Sequence, residues 1–278
     1  MSAVVSQAEK AVQFQALHHR PGAFVIPNPW DAGSARILAS LGFEALATSS
    51  GALAATLGLR DGAITREHAL AHAAQVASAT NLPVTADLEN GYGDAPESVA
   101  ETLRLSAEAG VVGGSIEDCT GDGTRRIYDL SHAVERVQAA VAAARALPTP
   151  FVLTARAENF LRGRADLADT IRRLQAFEAA GADVLYAPNL PDLESIRLVC
   201  SAVTKPVNVI VGTPGLCFPV AALAEAGVRR ISLGPALLQT AITAMVQAAK
   251  DVRTHGSFAF AERALTFGEL NRLMARPG

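Results

Sequence analysis

Cysteine is scarce in this chain, lysine is just as rare, and long apolar runs are missing. Each shortage excludes a class of protein. Three cysteines in 278 residues, Cys119, Cys200 and Cys217, cannot form the disulfide framework of a small secreted scaffold. Every long apolar stretch is broken by Arg, Glu, Gly or Pro, so no segment is expected to span a bilayer. The opening residues, Met1 to Lys10, lack the basic head and long apolar core of a secretory leader, which makes the cytoplasm the expected address. No basic run or stripe occurs, and a net charge of −3 argues against nucleic acid and acidic membranes as partners.

Half of the residues are hydrophobic and 18% are charged, the composition of a folded protein with a large core. Short β-like runs alternate with longer Ala-, Leu-, Glu- and Arg-rich runs. The expected strands are Phe24–Pro27, Ala45–Thr48, Val84–Asp87, Gly114–Glu117, Phe151–Ala155, Val184–Tyr186, Val207–Ile210 and Ile231–Leu233. Helices are expected between them, for example at Ala32–Leu41, Arg66–Ala79, Pro96–Ala109, Ser131–Arg145 and Leu167–Ala180, with another near Gln7–His18. Alternating βα units call for a parallel sheet with helices outside, and eight of them in about 250 residues match a closed barrel. An open doubly wound sheet would normally carry a Gly-rich loop after its first strand, and Asn28-Pro-Trp-Asp-Ala-Gly is not one. No linker or break in composition divides the chain. The expected class is α/β: one (β/α)8 TIM-barrel domain over 1–278, with the barrel at 20–255 and a helical tail at 256–278.

In such barrels the chemistry sits at the C-terminal ends of the strands. Val84-Thr-Ala-Asp87-Leu-Glu89 closes an apolar run with two carboxylates spaced i, i+2, which a strand aims to one side. Both can reach one hard cation such as Mg2+, which takes oxygen ligands and keeps several waters. Gly114-Ser-Ile-Glu117-Asp118 repeats the theme. Arg156, after strand five, suits an anionic ligand, and the alternative is a structural pair with Glu158 or Glu178. Ser50-Gly51 is either a plain βα turn or a backbone donor for a carboxylate. Gly212-Thr-Pro-Gly215 follows strand seven, where barrels often bind phosphate. His68 and His72 are spaced i, i+4, but Ala69 stands where a zinc-protease motif needs Glu, so they read as helix-surface residues.

The three lysines, Lys10, Lys205 and Lys250, all fall away from the expected mouth. A Schiff-base mechanism is thereby excluded, and a metal is left as the electron sink. Cys119 has no histidine within ten residues to activate it and reads as a small buried hydrophobe, like Cys200 and Cys217.

Several motifs, taken together and in order, resemble the isocitrate lyase and phosphoenolpyruvate mutase superfamily over about Phe24 to Gly234. They are Pro27-Asn-Pro-Trp-Asp-Ala-Gly-Ser-Ala, Thr48-Ser-Ser-Gly-Ala, Asp87-Leu-Glu-Asn-Gly-Tyr-Gly, Gly114-Ser-Ile-Glu-Asp and Thr154-Ala-Arg-Ala-Glu. The resemblance implies a barrel whose last helix is exchanged between subunits, a homo-oligomer built as a dimer of dimers, and Mg2+ or Mn2+. It also implies ligands that are 2-oxo acids, phosphoenol acids or 2-hydroxy tricarboxylates. Position by position, it makes Asp87 the direct metal ligand, with Asp61, Glu89 and Glu117 holding metal-bound waters. It further makes Ser50, Gly51 and Ala52 a cradle for the ligand carboxylate, Arg156 the neutralising cation, and Trp30 and Asn208 further ligand contacts.

Two departures shape the functional expectation. Lyases of the superfamily carry a Lys-Lys/Arg-Cys-Gly-His loop after Ile-Glu-Asp, where this chain has Cys119-Thr-Gly-Asp-Gly-Thr-Arg-Arg-Ile-Tyr128. They also tend to have a glutamate after strand six, where this chain has Ala187-Pro188-Asn189. The Asn-Ser or Thr-Asn pair favoured by the phosphonate branch is missing as well. The leading expectation is a Mg2+-dependent lyase acting on a small 2-oxo or 2-hydroxy acid through a metal-stabilised enolate. Decarboxylation of an oxaloacetate-like acid is favoured because carbon dioxide leaves without a base. Arg156, Glu117 and Tyr128 are the expected catalytic groups. The alternatives are phosphonopyruvate or phosphoenolpyruvate P–C chemistry, and a catalytically feeble 2-oxo acid binder.

Overall fold

A computed structural model describes residues 5–212 and 215–275, so Thr213 and Pro214 of the loop after strand seven lie outside the described residues. Eight parallel strands form one sheet: β1 Phe24–Ile26, β2 Leu46–Ala47, β3 Val84–Asp87, β4 Gly113–Glu117, β5 Val152–Arg156, β6 Val184–Tyr186, β7 Val207–Ile210 and β8 Arg230–Ser232. Helix α1 (Gln7–His19) precedes them, and α2 (Ala32–Ser40) follows β1. Helices α3 (Ser50–Thr56) and α4 (Arg66–Ala79) follow β2, with α5 (Pro96–Glu108), α6 (Leu130–Arg145) and α7 (Leu167–Ala179) after β3, β4 and β5. The last are α8 (Leu193–Ala202), α9 (Val220–Glu225), α10 (Ala236–His255) and α11 (Phe267–Met274). Strands and helices alternate around a nearly closed (β/α)8 barrel. Strand β1 pairs with β8, and the seam between β1 and β2 is bridged by Ala47 N–H donating to the Pro27 carbonyl at 3.1 Å.

Local chemistry explains the element ends. Asp31, Thr65, Asp166 and Asp192 each accept a backbone N–H at the start of the helix they precede, satisfying donors that the first turn leaves open. Gly110 and Gly181 hold φ of 91° and 103° in the turns leading to β4 and β6, a region that side-chain-bearing residues rarely adopt.

Helix α1 plugs the floor of the barrel. Its Ala11, Phe14 and Leu17 pack with Phe24, Ala45, Val112, Val152 and Val184 at the lower strand ends. The approach is close enough that a Cβ on Gly113 would stand 3.0 Å from the Phe14 ring and 2.8 Å from the Val152 carbonyl oxygen. Truncating the fully buried Phe14 to alanine removes roughly 3–5 kcal/mol. At the other end, α10 follows β8 but buries only Ala236 and Leu238 against its own barrel. The chain then returns, and the Arg36 guanidinium of α2 donates to the Met274 carbonyl at 2.9 Å. No helix among the described residues is long and apolar enough to cross a membrane.

Register matters for the site. Glu117 pairs with Arg156, Arg156 with Tyr186, Tyr186 with Asn208, and Asn208 with Arg230, one residue from each strand from β4 to β8.

Candidate active site

A cavity of about 630 Å³ opens at the C-terminal ends of the strands, and Ser50, Gly51, Asp61, Asp87, Glu117, Arg156 and Asn208 all line it. Arg125, Arg162, Asn189, Arg230 and Ser232 line it too. Asp87 is fixed at the end of β3. Its backbone N–H donates to Thr48 Oγ1 at 2.9 Å, while the Ser50 N–H and hydroxyl both donate to its Oδ2, at 3.0 and 2.8 Å. Helix α3 thus begins on Asp87, and Ser50 opens a helix rather than a plain turn. A Cβ on Gly51 would stand 3.2 Å from Asp61 Oδ1, so the glycine lets that carboxylate lie against the start of α3.

Arg156 occupies the centre. Its Nε donates to Glu158 at 2.8 Å, Nη1 to Asp87 at 3.2 Å, and Nη2 lies 3.2 Å from Glu117. The guanidinium also stacks over the Tyr186 ring, 4.9 Å from its centroid. Burial works against its charge, but Glu158, Glu117 and Asp87 more than offset that and hold it protonated. Both sequence readings of Arg156 therefore meet in one residue, which pairs with Glu158 and also reaches the mouth. Glu117 is shared further, with Arg125 at 3.5 Å and Arg162 at 3.3 Å. Burial, and then the charge of Asp87, push Glu89 up to about 7, with Arg125 at 3.4 Å opposing.

Several expected residues face elsewhere. Trp30 does not line the mouth; its backbone N–H donates to Ser34 Oγ at the start of α2. Ala52 is buried, and its N–H goes to Ser49 Oγ at 3.3 Å as part of the cap of α3. The Tyr128 hydroxyl donates to Asp94 and accepts from Asn90 Nδ2 at 3.2 Å, outside the mouth. Its burial and the bond to Asp94 push it up to about 12. Glu89 opens onto a second, neighbouring cavity rather than the mouth. Asn208 lines the mouth but is committed on both sides, accepting from Arg230 Nε at 2.8 Å and donating to Ser232 Oγ at 3.1 Å.

Three other sequence readings are revised or refined. His72 is buried in α4 rather than on the surface, although His68 is exposed and caps that helix. Cys217 is exposed and Cys200 half-buried. Cys119 is fully buried, donates to Glu117 Oε2 at 3.4 Å, and is pushed well above the usual thiol range by burial and then by Glu117.

The oxygen donors can be tested against a divalent cation. Glu89 is 4% exposed, and its Oε1 is a buried acceptor with no hydrogen-bond partner. Asp87, Arg125, Glu117 and Asp61 all act electrostatically on Glu89, which places the acids around one region. Among the described residues only Glu117, Cys119 and Glu158 bring ligand atoms within 4.8 Å of one another. That trio is a poor hard-cation site, because a protonated thiol is a soft, weak donor and arginines already hold both carboxylates. No three of Asp61, Asp87, Glu89 and Glu117 bring ligand atoms within 4.8 Å of one another, so a divalent cation among them would take one or two carboxylates directly and the others through its waters.

Known proteins share this architecture. A profile of the family described as phosphoenolpyruvate phosphomutase matches residues 14–253. The oxaloacetate decarboxylase of Paraburkholderia xenovorans is 32% identical over 233 residues, covering 81% of this chain and 76% of the relative. The 2-methylisocitrate lyase of Halalkalibacterium halodurans is 31% identical over 209 residues, covering 73% and 67%. A crystal structure from Burkholderia cenocepacia J2315, of a protein assigned only by inference as a lyase or mutase, is 55% identical. It superposes with a TM-score of 0.95 over 98% of this chain and 97% of that one.

Proposed function

The chain belongs to the phosphoenolpyruvate phosphomutase family, within the isocitrate lyase/PEP mutase superfamily of C–C lyases and mutases, and from that premise we propose a Mg2+- or Mn2+-dependent lyase. Its substrate is a small 2-oxo or 2-hydroxy acid, and decarboxylation of an oxaloacetate-like acid is the favoured reaction. When bound through Asp87, the cation supplies a Lewis acid for the electron pair left on the 2-oxo fragment as the C–C bond breaks. The chain's own residues hold that arrangement. Ser50 fixes the Asp87 carboxylate, Arg156 balances the charge of the acids around it, and Glu117 is tied down by Arg125, Arg156 and Arg162.

The placement of Cys119 carries the choice of decarboxylation. With its thiol buried against Glu117 and Tyr128 turned toward Asp94, neither presents a proton to the mouth. Loss of carbon dioxide needs no base, and solvent can protonate the carbon that remains. P–C chemistry on phosphonopyruvate is the second reading, favoured by the family match and by the arginines lining the mouth. Oxaloacetate, phosphonopyruvate and 2-methylisocitrate, each assayed with Mg2+ against a heat-inactivated control, separate the readings. Carbon dioxide release from oxaloacetate above that control is expected. Turnover of phosphonopyruvate alone would replace the lead reading, and tight binding without any product would mark a binder.

The active form is a cytoplasmic homotetramer, a dimer of dimers. In support, α10 leaves Ile242, Met245 and Val246 exposed although it follows the last barrel strand.

A further inference from the structure

Four arginines line the mouth cavity, and three are held by carboxylates. Arg125 pairs with Glu89 and Glu117, Arg156 with Asp87, Glu117 and Glu158, and Arg162 with Glu117 and Glu158. Arg230 differs. It is 4% exposed and lines the same cavity, yet every partner it has among the described residues is neutral.

Those partners aim it. Nε donates to Asn208 Oδ1 and Nη2 to Thr154 Oγ1, both at 2.8 Å, and Nη1 faces His18 Nε2 at 3.4 Å. His18 Nδ1 lies 2.7 Å from the Phe14 carbonyl oxygen. A carbonyl can only accept, so the ring proton sits on Nδ1 and Nε2 offers its lone pair to Arg230. The barrel-floor helix thereby helps to hold the guanidinium. Burial lowers Arg230 only to about 10, so it is charged at neutral pH. A buried cation without a counter-ion is destabilising unless the cavity's contents balance it. A guanidinium has five N–H donors. Three are engaged here, which leaves one N–H on each Nη, and a carboxylate can take two guanidinium N–H groups with its two oxygens.

We propose that Arg230 anchors a second carboxylate of the substrate, so that the site selects 2-oxo or 2-hydroxy dicarboxylates over monocarboxylates. Asn208, Thr154 and His18 are its positioning residues. The assignment rests on the reading of the mouth as an oxo- or hydroxy-acid site. The acid head lies at the Asp87 and Arg156 end, and the distal carboxylate points down the inner face of β7 and β8, past Ser232.

Calorimetry on the full-length protein with Mg2+ tests this, using malate against 2-hydroxybutyrate and 2-hydroxyglutarate against 2-hydroxyvalerate. The wild type binds the dicarboxylate of at least one pair about tenfold or more tighter, the range for a charge-assisted hydrogen bond. Arg230→Met reduces that ratio to below about threefold and leaves the monocarboxylate affinity nearly unchanged. Arg230→Lys, which keeps the charge but not the fork, reduces it by less, and it decides the matter if the methionine variant does not fold. A wild type that binds both members of each pair equally overturns the assignment. So does a folded Arg230→Met that weakens both members alike, or, where only the lysine variant folds, an unchanged ratio. Each of these results leaves the acid-site reading standing. If no member of either pair binds, the acid-site reading itself fails and takes the Arg230 assignment with it.

Discussion

Ser50 holds Asp87 with two donors on one oxygen, its hydroxyl at 2.8 Å and its backbone N–H at 3.0 Å from Oδ2. The other oxygen of Asp87 faces Arg156 and, at 3.4 Å, the Ser115 hydroxyl. Asp87 is thus aimed by the strand, the following helix and the central arginine together. Asp87→Ala should abolish Mn2+ binding, read by electron paramagnetic resonance, while the circular dichroism spectrum is unchanged. Ser50→Ala should weaken Mn2+ binding by about ten- to a hundredfold, since the hydroxyl orients the ligand without being one. Wild-type Mn2+ affinity in Asp87→Ala would remove Asp87 from the metal site.

Cys119→Ser should retain at least about a tenth of wild-type turnover, less than the usual loss on removing an acid–base group. The thiol is buried and held by Glu117, so it cannot meet a ligand in the mouth without rearrangement. A drop beyond a thousandfold with ligand affinity intact would make Cys119 the catalytic acid.

His18 should make the protein acid-sensitive. Burial, then the neighbouring Arg230 charge, lowers it from 6.5 in the unfolded chain to about 3. Between those values the unfolded state binds the extra proton and the folded state does not, so this contribution is complete above pH 6.5 and is lost as pH falls toward 3. At pH 4.5 the loss is roughly 2–3 kcal/mol. Denaturant melts of the wild type and His18→Gln at pH 7 and pH 4.5 check it: the wild type should lose that much more than the variant. Parallel losses would mean that His18 is not held neutral.

Association should be detectable at micromolar concentration. Phe258, Leu265 and Phe267 of the tail are exposed along with the apolar face of α10, and Phe267 is 79% exposed. Ile242, Met245 and Val246 share one face of α10, and exposed apolar side chains gathered in this way suit contact with another subunit. Sedimentation is expected to give a tetramer, and a stable monomer would refute the proposed assembly.

The barrel was legible because its strands are short apolar runs set between longer helix-like runs, and Val84–Asp87, Val184–Tyr186 and Val207–Ile210 fall where the pattern puts them. What escaped was side-chain direction. Tyr128 follows a loop whose return, with Cys119 bridged to Ile127, turns the ring toward Asp94, and no spacing rule predicts that. Arg230 escapes the sequence pattern because the apolar run sets the strand at Ile231–Leu233, which leaves the arginine in the preceding turn, whereas β8 is Arg230–Ser232. The signal was there in Arg230-Ile231-Ser232: Arg230 and Ser232 share the inner face, while Ile231 packs into the core. His72 looked exposed because helical spacing alone does not say which face another helix covers.

The most direct test is metal-dependent turnover of oxaloacetate, measured as carbon dioxide release with Mg2+, after EDTA, and after Mg2+ is restored. Enzyme-dependent decarboxylation should vanish in EDTA, return with Mg2+, and be absent from Asp87→Ala throughout. Full activity in EDTA, or an Asp87→Ala protein as active as the wild type, would contradict a metal-assisted lyase built on Asp87.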